Sequence, residues 1–115
     1  RTGLVSRVMA NIYRNAKLDL TTTNATVLYT APAAKTAIFK SMLVSEDSGN
    51  ADTITATLTD AATAVFSLFK VKAVAANTTI ELLEQPLVVE TGEIIKVQAA
   101  TADRLHVVAS YLEVS

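Results

Sequence analysis

The chain has 115 residues, a formal net charge of −1, 50% hydrophobic residues, 5% aromatic residues and no cysteine. One domain fits this length, because a single core closes at this size while each half alone would be marginal. The apolar fraction argues against disorder; the missing cysteine removes disulfides, thiolate metal sites and cysteine nucleophiles; the near-neutral balance argues against a broad basic face for nucleic acid.

The sequence opens on Arg1 and not on Met, as expected where leading residues have been trimmed or left out. Arg1, Arg7, Arg14 and Lys17 all precede the first acid, Asp19. No apolar block of signal-peptide length lies among them, so they make a poor export signal. Between Gly3 and Asn15, Leu4, Val5, Val8, Met9 and Ile12 recur at spacings of three and four, which fits one apolar helical face as well as an extended arm. Residues 1–17 are therefore expected to form a basic, apolar arm or short helix packed away from the main core. Residues 18–115 are expected to form one sandwich domain. No apolar run approaches the roughly 18 to 20 residues needed to cross a bilayer, so no membrane contact is expected.

From Lys17 onward, short apolar runs alternate with Asn, Asp, Gly, Pro and Thr, the punctuation of a sheet protein. Strands are expected near Lys17–Thr21, Thr26–Thr30, Thr36–Ser45, Thr53–Thr59, Val65–Lys72, Thr78–Leu83, Leu87–Val89, Glu93–Ala99 and Arg104–Val114. In Thr53–Thr59, Ile54, Ala56 and Leu58 alternate with four threonines, the period-two pattern of a strand with one face on a core and one in water. β-branched threonine suits such a pleated, solvated face. The run Glu46–Asp52 reads as a polar hairpin loop, too polar to be buried. Asp60 to Ala64 reads as a hairpin loop in preference to a helical turn. Pro86 marks a strand boundary, and Thr91-Gly92 a tight turn with a positive φ at glycine. Eight or nine short strands point to an all-β fold of about eight antiparallel strands, a β-sandwich with a jelly-roll layout.

Candidate chemistry is thin. His106 is the single histidine; it points outward if Leu105, Val107 and Ala109 point inward, and Glu113, Asp103 and Glu81 are its candidate carboxylate partners. Glu46, Asp47 and Asp52 crowd one loop but lack the Asp-x-Asp-x-Asn-Gly order and distal Glu of a calcium loop. Glu81, Glu84, Glu90 and Glu93 leave a carboxylate pair for glycoside hydrolysis open, although all four fall where a strand end or turn needs a solvated group. Ser45, Ser48, Ser67 and Ser110 lie in no Gly-x-Ser-x-Gly elbow. Gly3, Gly49 and Gly92 are too far apart to cradle a phosphate. Tyr13, Tyr29, Tyr111, Phe39, Phe66 and Phe69 are the only aromatics, few for a sugar or single-strand platform. No catalytic residue, metal or cofactor is expected, nor any specific nucleic acid. What remains is interaction: a basic arm on an acidic body attracts complementary surfaces on neighbouring subunits.

The segment Leu20–Val44, with Leu28-Tyr29-Thr30-Ala31-Pro32-Ala33-Ala34-Lys35-Thr36 at its centre, resembles small β-sandwich virion proteins of tailed bacteriophages. A second element, Leu82-Leu83-Glu84-Gln85-Pro86-Leu87-Val88-Val89-Glu90-Thr91-Gly92-Glu93, is similar to a later segment of the same proteins. The resemblance covers Leu20 to Ser115. Glycine often follows the Ala-Pro-Ala turn in those proteins, and here Ala34 takes its place. The resemblance implies a non-enzymatic particle component, first of all a capsid decoration or cement protein on the virion surface that bridges neighbouring major capsid subunits. It also implies a homo-oligomer, with a trimer at a capsid symmetry axis as one form. The other readings are a neck, tail or head-fibre accessory, and a carbohydrate or cell-surface binding module using the loops Glu46–Asp52 and Ala99–Arg104. The arm lies outside the shared pattern. Its candidate capsid-contacting residues are Arg1, Leu4, Val5, Arg7, Val8, Met9, Ile12, Arg14 and Lys17.

Overall fold

The computed structural model describes residues 11–115. Nine strands run β1 (Asn11–Asp19), β2 (Thr26–Thr30), β3 (Thr36–Glu46), β4 (Asp52–Thr59), β5 (Val65–Val74), β6 (Thr79–Glu81), β7 (Leu87–Val89), β8 (Ile94–Ala99) and β9 (Leu105–Val114). One sheet, A, is ordered β1-β9-β3, with β6 and β7 pairing end to end along the far side of β3. The other, B, is ordered β2-β8-β4-β5. Every ladder is antiparallel.

The chain behaves as a long ribbon folded back on itself near Ala62. β4 pairs β5, β3 pairs β6 and β7, β2 pairs β8 and β1 pairs β9. Ladders β9·β3 and β8·β4 then roll this ribbon into two sheets, which is the jelly-roll layout read from the sequence. Alternation fills the space between the sheets. Ala37, Phe39, Met42 and Val44 of β3, Leu105, Val107 and Ala109 of β9, Ile54 and Ala56 of β4, and Ile95, Val97 and Ala99 of β8 are buried.

Bulges adjust this pattern where strict alternation would misplace a side chain. The shift between Val27 and Tyr29 lets Leu28 and Tyr29, consecutive in sequence, both enter the core. The shift between Phe39 and Ser41 falls where β3 changes partner from β7 to β6. The carboxylate of Glu81 fills that gap, accepting from the Met42 N–H at 2.6 Å, the Ser41 hydroxyl at 2.5 Å and the Leu83 N–H at 3.1 Å. Burial alone would raise its pKa; these three donors outweigh it and hold the carboxyl below its usual range. In β5 the chain bulges at Val71, whose φ of 51° is unusual for a β-branched residue, and the Val71 N–H donates to Thr55 Oγ1 at 3.0 Å.

Three expectations change. β1 is already in place at Asn11, the first described residue and six before the strand expected near Lys17, so Ile12, Arg14 and Lys17 belong to a regular ladder with β9. In that strand they alternate with neighbours at period two, because the ladder with β9 supplies partners that the local spacing does not reveal. Glu46 and Asp52 are buried, Glu46 to 1% exposure, where the sequence led us to expect a wholly solvated loop. Their carboxylates accept from backbone N–H groups, which offset the loss of water on burial. Thr59, expected on the solvated threonine face, is also buried, and its hydroxyl has no hydrogen-bond partner among the described residues.

Candidate interaction surfaces

At one end of the sandwich the turn after β2 meets the turn before β8. The Ala31 N–H donates to Glu93 O at 2.9 Å, the Gly92 N–H to Ala31 O at 3.0 Å and the Thr91 hydroxyl to Lys35 O at 2.6 Å. Each turn is closed internally, by Lys35 N–H to Pro32 O at 3.2 Å and by Glu90 N–H to Glu93 Oε1 at 2.8 Å. Gly92 has φ +83°, as its turn position led us to expect, and a Cβ there would lie 3.3 Å from the Ala61 Cβ. Ala34 adopts φ 62°, so alanine holds the left-handed conformation that glycine takes most readily.

Beneath these turns lies a polar knot under β1. Tyr29 donates to Glu113 Oε2 at 2.9 Å, while Arg14 Nε and Lys35 Nζ approach Glu113 Oε1 at 3.4 and 3.9 Å. Tyr29, Phe39 and Tyr111 pack around it with ring centroids 4.6 to 5.2 Å apart. Burial raises the Tyr29 phenol well above its usual pKa, and the hydrogen bond to Glu113 and its charge add to this. Tyr111 is raised by burial first and by the Glu113 charge second. Arg14, read from the sequence as a candidate capsid contact, here ties the edge strand to the core. Ile12 lies opposite Glu113 and Lys17 opposite Val108. Arg1, Leu4, Val5, Arg7, Val8 and Met9 lie outside the described residues.

At the opposite end, Glu46 organises the β3–β4 loop. It accepts from the Ser48 hydroxyl and from the N–H groups of Ser48 at 2.9 Å, Gly49 at 3.1 Å and Asn77 at 3.0 Å. Burial opposes its charge, but these donors prevail and set the carboxyl at about 2. The loops Glu46–Asp52 and Ala99–Arg104 do come together: Thr101 N–H donates to Asp52 Oδ2 at 3.1 Å and Arg104 to Ala51 O at 2.9 Å. An open groove of about 500 Å³ beside them is lined by Ala51, Asp52, Thr53, Val74, Ala75 and Ala100, among others. Their polar groups are thus largely engaged with one another.

His106 points outward between buried Leu105 and Val107, as alternation required. Its partners are Asp19, 3.2 Å from Nε2, and Asp47, 3.5 Å from Nδ1, not Glu113, Asp103 or Glu81. Asp19 is its cross-strand neighbour in the β1·β9 register, a pairing invisible until β1 is placed. Among the described residues no group of three or more His, Cys, Asp or Glu is arranged to hold a metal, and no helix is long and apolar enough to cross a membrane.

No family model matches the chain, and no curated protein matches it in sequence. Among solved structures, it is similar to a protein of the disulfide-linked pili that form Bacillus endospore appendages, with a TM-score of 0.56 and 9% identity over 91% of this chain and 86% of that one. A second match is to a structure of infectious bursal disease virus, Gt strain, with a TM-score of 0.43 and 12% identity, covering 93% of this chain and 32% of that one. The likeness to the pilus protein is one of fold.

Proposed function

We infer that this chain is a non-enzymatic building block of a tailed-bacteriophage particle, a decoration or cement protein at the virion surface that bridges neighbouring major capsid subunits. One observation carries this reading. The two sequence elements that resemble small phage virion proteins, far apart in the chain, interlock turn to turn at one end of the sandwich. Their contact supports reading the two elements as parts of one structural unit. The sequence has no cysteine, so it supplies no disulfide of the kind that links the pilus protein whose fold it shares.

In this reading, β1 and the residues before it form the bridging element. Because residues 11–17 are built into sheet A, the informative truncation removes residues 1–10 alone. It should leave a folded domain and weaken incorporation into particles; undiminished incorporation would refute the bridging role of the arm. Counting copies per virion by densitometry separates capsid decoration, at hundreds of copies, from a neck or tail accessory at about a dozen. Absence of the protein from purified particles would refute both. The groove beside the loops Glu46–Asp52 and Ala99–Arg104 favours a second reading as a binding module. Glycan-array binding lost on changing Asp47 and Asp52 to Ala would support it, and absence of any glycan ligand would count against it.

A further inference from the structure

The edge of a sheet presents unpaired backbone N–H and C=O groups that a further strand can use, and proteins blunt such edges with short strands, bulges and lysines. Three of the four edges described here are blunted in these ways. β6 and β7, on the far side of sheet A, have three residues each. β2, at one edge of sheet B, has five residues and a register shift between Val27 and Tyr29. β5, at the other edge, shifts register twice against β4 and carries exposed Lys70 and Lys72. β1 differs from all of these. Its nine residues keep one unbroken register with β9, and it has no other ladder partner among the described strands. Ile12 on its core side is 40% exposed, and Tyr13 on its outer side 73%.

The residues of β1 point to the occupant of that edge. A second copy can add antiparallel to β1 about a two-fold axis normal to sheet A. Such an axis keeps every residue on its own face, so it passes through a residue and not between two. With the axis at Asn15, all nine residues are paired over about 31 Å. On the outer face, Tyr13 lies opposite the second copy's Lys17, an aromatic ring beside an ammonium. Asn11 lies opposite Asp19, an amide donor beside a carboxylate. On the core side, Ile12 lies opposite Leu18, an aliphatic pair. Arg14 lies opposite Ala16, so its guanidinium keeps its approach to Glu113. An axis at Arg14 would set that residue against its own copy, with like charges directly opposed. An axis at Ala16 would leave Asn11 and Ile12 beyond the end of the partner strand and set Arg14 against Leu18. Of the three, the Asn15 register alone both opposes no like charges and covers Ile12 with an apolar side chain.

We propose that the free edge of β1 is a docking edge for β1 of a second copy, which joins two sheets A into one continuous sheet about a two-fold axis at Asn15. The contact deepens the building-block reading and rests on it for its purpose, but it is tested separately. Sedimentation velocity of the full chain between about 10 and 500 µM, where small interfaces associate, should show a concentration-dependent dimer. Tyr13→Lys sets an ammonium opposite Lys17 at both ends of the contact and should weaken the dimer roughly thirtyfold or more, with an unchanged circular dichroism spectrum. Adding Lys17→Glu to Tyr13→Lys makes those positions opposite in charge and should recover the dimer, which a different register would not do. Because the sequence has no cysteine, Asn15→Cys offers one thiol on the proposed axis. A short bis-maleimide should join two such chains efficiently, whereas Thr57→Cys, on the outer face of sheet B, should not be joined. This linkage decides the matter should Tyr13→Lys fail to fold. A wild-type chain that stays monomeric, a Tyr13→Lys chain that dimerises like wild type, or Asn15→Cys chains that are not joined would overturn the proposal. A monomeric wild type that still enters particles would sink the dimer and leave the building-block reading standing; a dimer formed by a protein absent from particles would do the reverse.

Discussion

Replacing Ala34 by glycine should stabilise the fold, although it removes a side chain. Ala34 sits at the third position of the turn closed by Lys35 N–H to Pro32 O, with φ 62°. A turn of that kind selects glycine there, because an L-residue in the left-handed region brings its Cβ against backbone at a cost of about 1–2 kcal/mol. Glycine recovers that strain but returns about 0.4–1 kcal/mol of freedom to the unfolded chain. The net gain is about 0.5–1 kcal/mol. With an unfolding entropy of about 2.1 cal/mol/K per residue, a chain of this length should melt about 2–4 °C higher. Differential scanning calorimetry and urea titration measure this directly. Gly92→Ala supplies the opposite perturbation. At φ +83° and 3.3 Å from the Ala61 Cβ it should cost about 1–2 kcal/mol. A lower melting temperature for Ala34→Gly, with Gly92→Ala destabilising as expected, would show that the Ala34 side chain makes a contribution outweighing its strain, and the reasoning would fail.

Glu46→Gln should lower stability at neutral pH, since the amide cannot match a carboxylate receiving four donors. A carboxyl held at about 2 in the fold, against an ordinary value near 4.3 in the unfolded chain, stabilises above the unfolded value and loses that contribution as pH falls through the folded one. The gap between wild type and Glu46→Gln in urea midpoint should therefore close between about pH 5 and pH 2. Tyr29→Phe withdraws the hydroxyl from buried Glu113 and should cost about 1–3 kcal/mol in urea unfolding. Phe39→Ala, at a fully buried site between Tyr29 and Tyr111, should cost about 3–5 kcal/mol, read as a lowered urea midpoint by near-ultraviolet circular dichroism.

Period-two alternation made β4, β8 and β9 legible from sequence, and Pro86 and Gly92 fixed their neighbours' ends, because these signals are local. β1 was harder. Leu4 to Ile12 carries a spacing compatible with helix or strand, and what decides for strand from Asn11 onward is β9, which begins the ladder by pairing Asn11 with distant Val114. Glu46 reads as a loop acid in sequence: its donors Ser48 and Gly49 are local, but burial and the donor Asn77 come only with the fold. His106 was correctly turned outward, yet its partners Asp19 and Asp47 depended on register. An apolar row on sheet A is equally hidden: Tyr13, Leu112, Ile38 and Val88 form a line only when four strands are aligned.

The nested pairing of the strands also has a temporal side. β9 is the last described strand to leave the ribosome, yet it occupies the middle of sheet A, between β1 and β3. Until it emerges, β1 lacks its only ladder partner among the described strands and β3 has just the short β6 and β7. Vectorial synthesis can complete the β4·β5 hairpin early, but sheet A must wait for the chain's far end, and such distant pairings close slowly. During that delay the apolar strands that later form the core are exposed in a crowded cytoplasm, where other nascent copies present the same strands. Production of this protein is thus expected to be more sensitive to translation rate and chaperone supply than its small size implies.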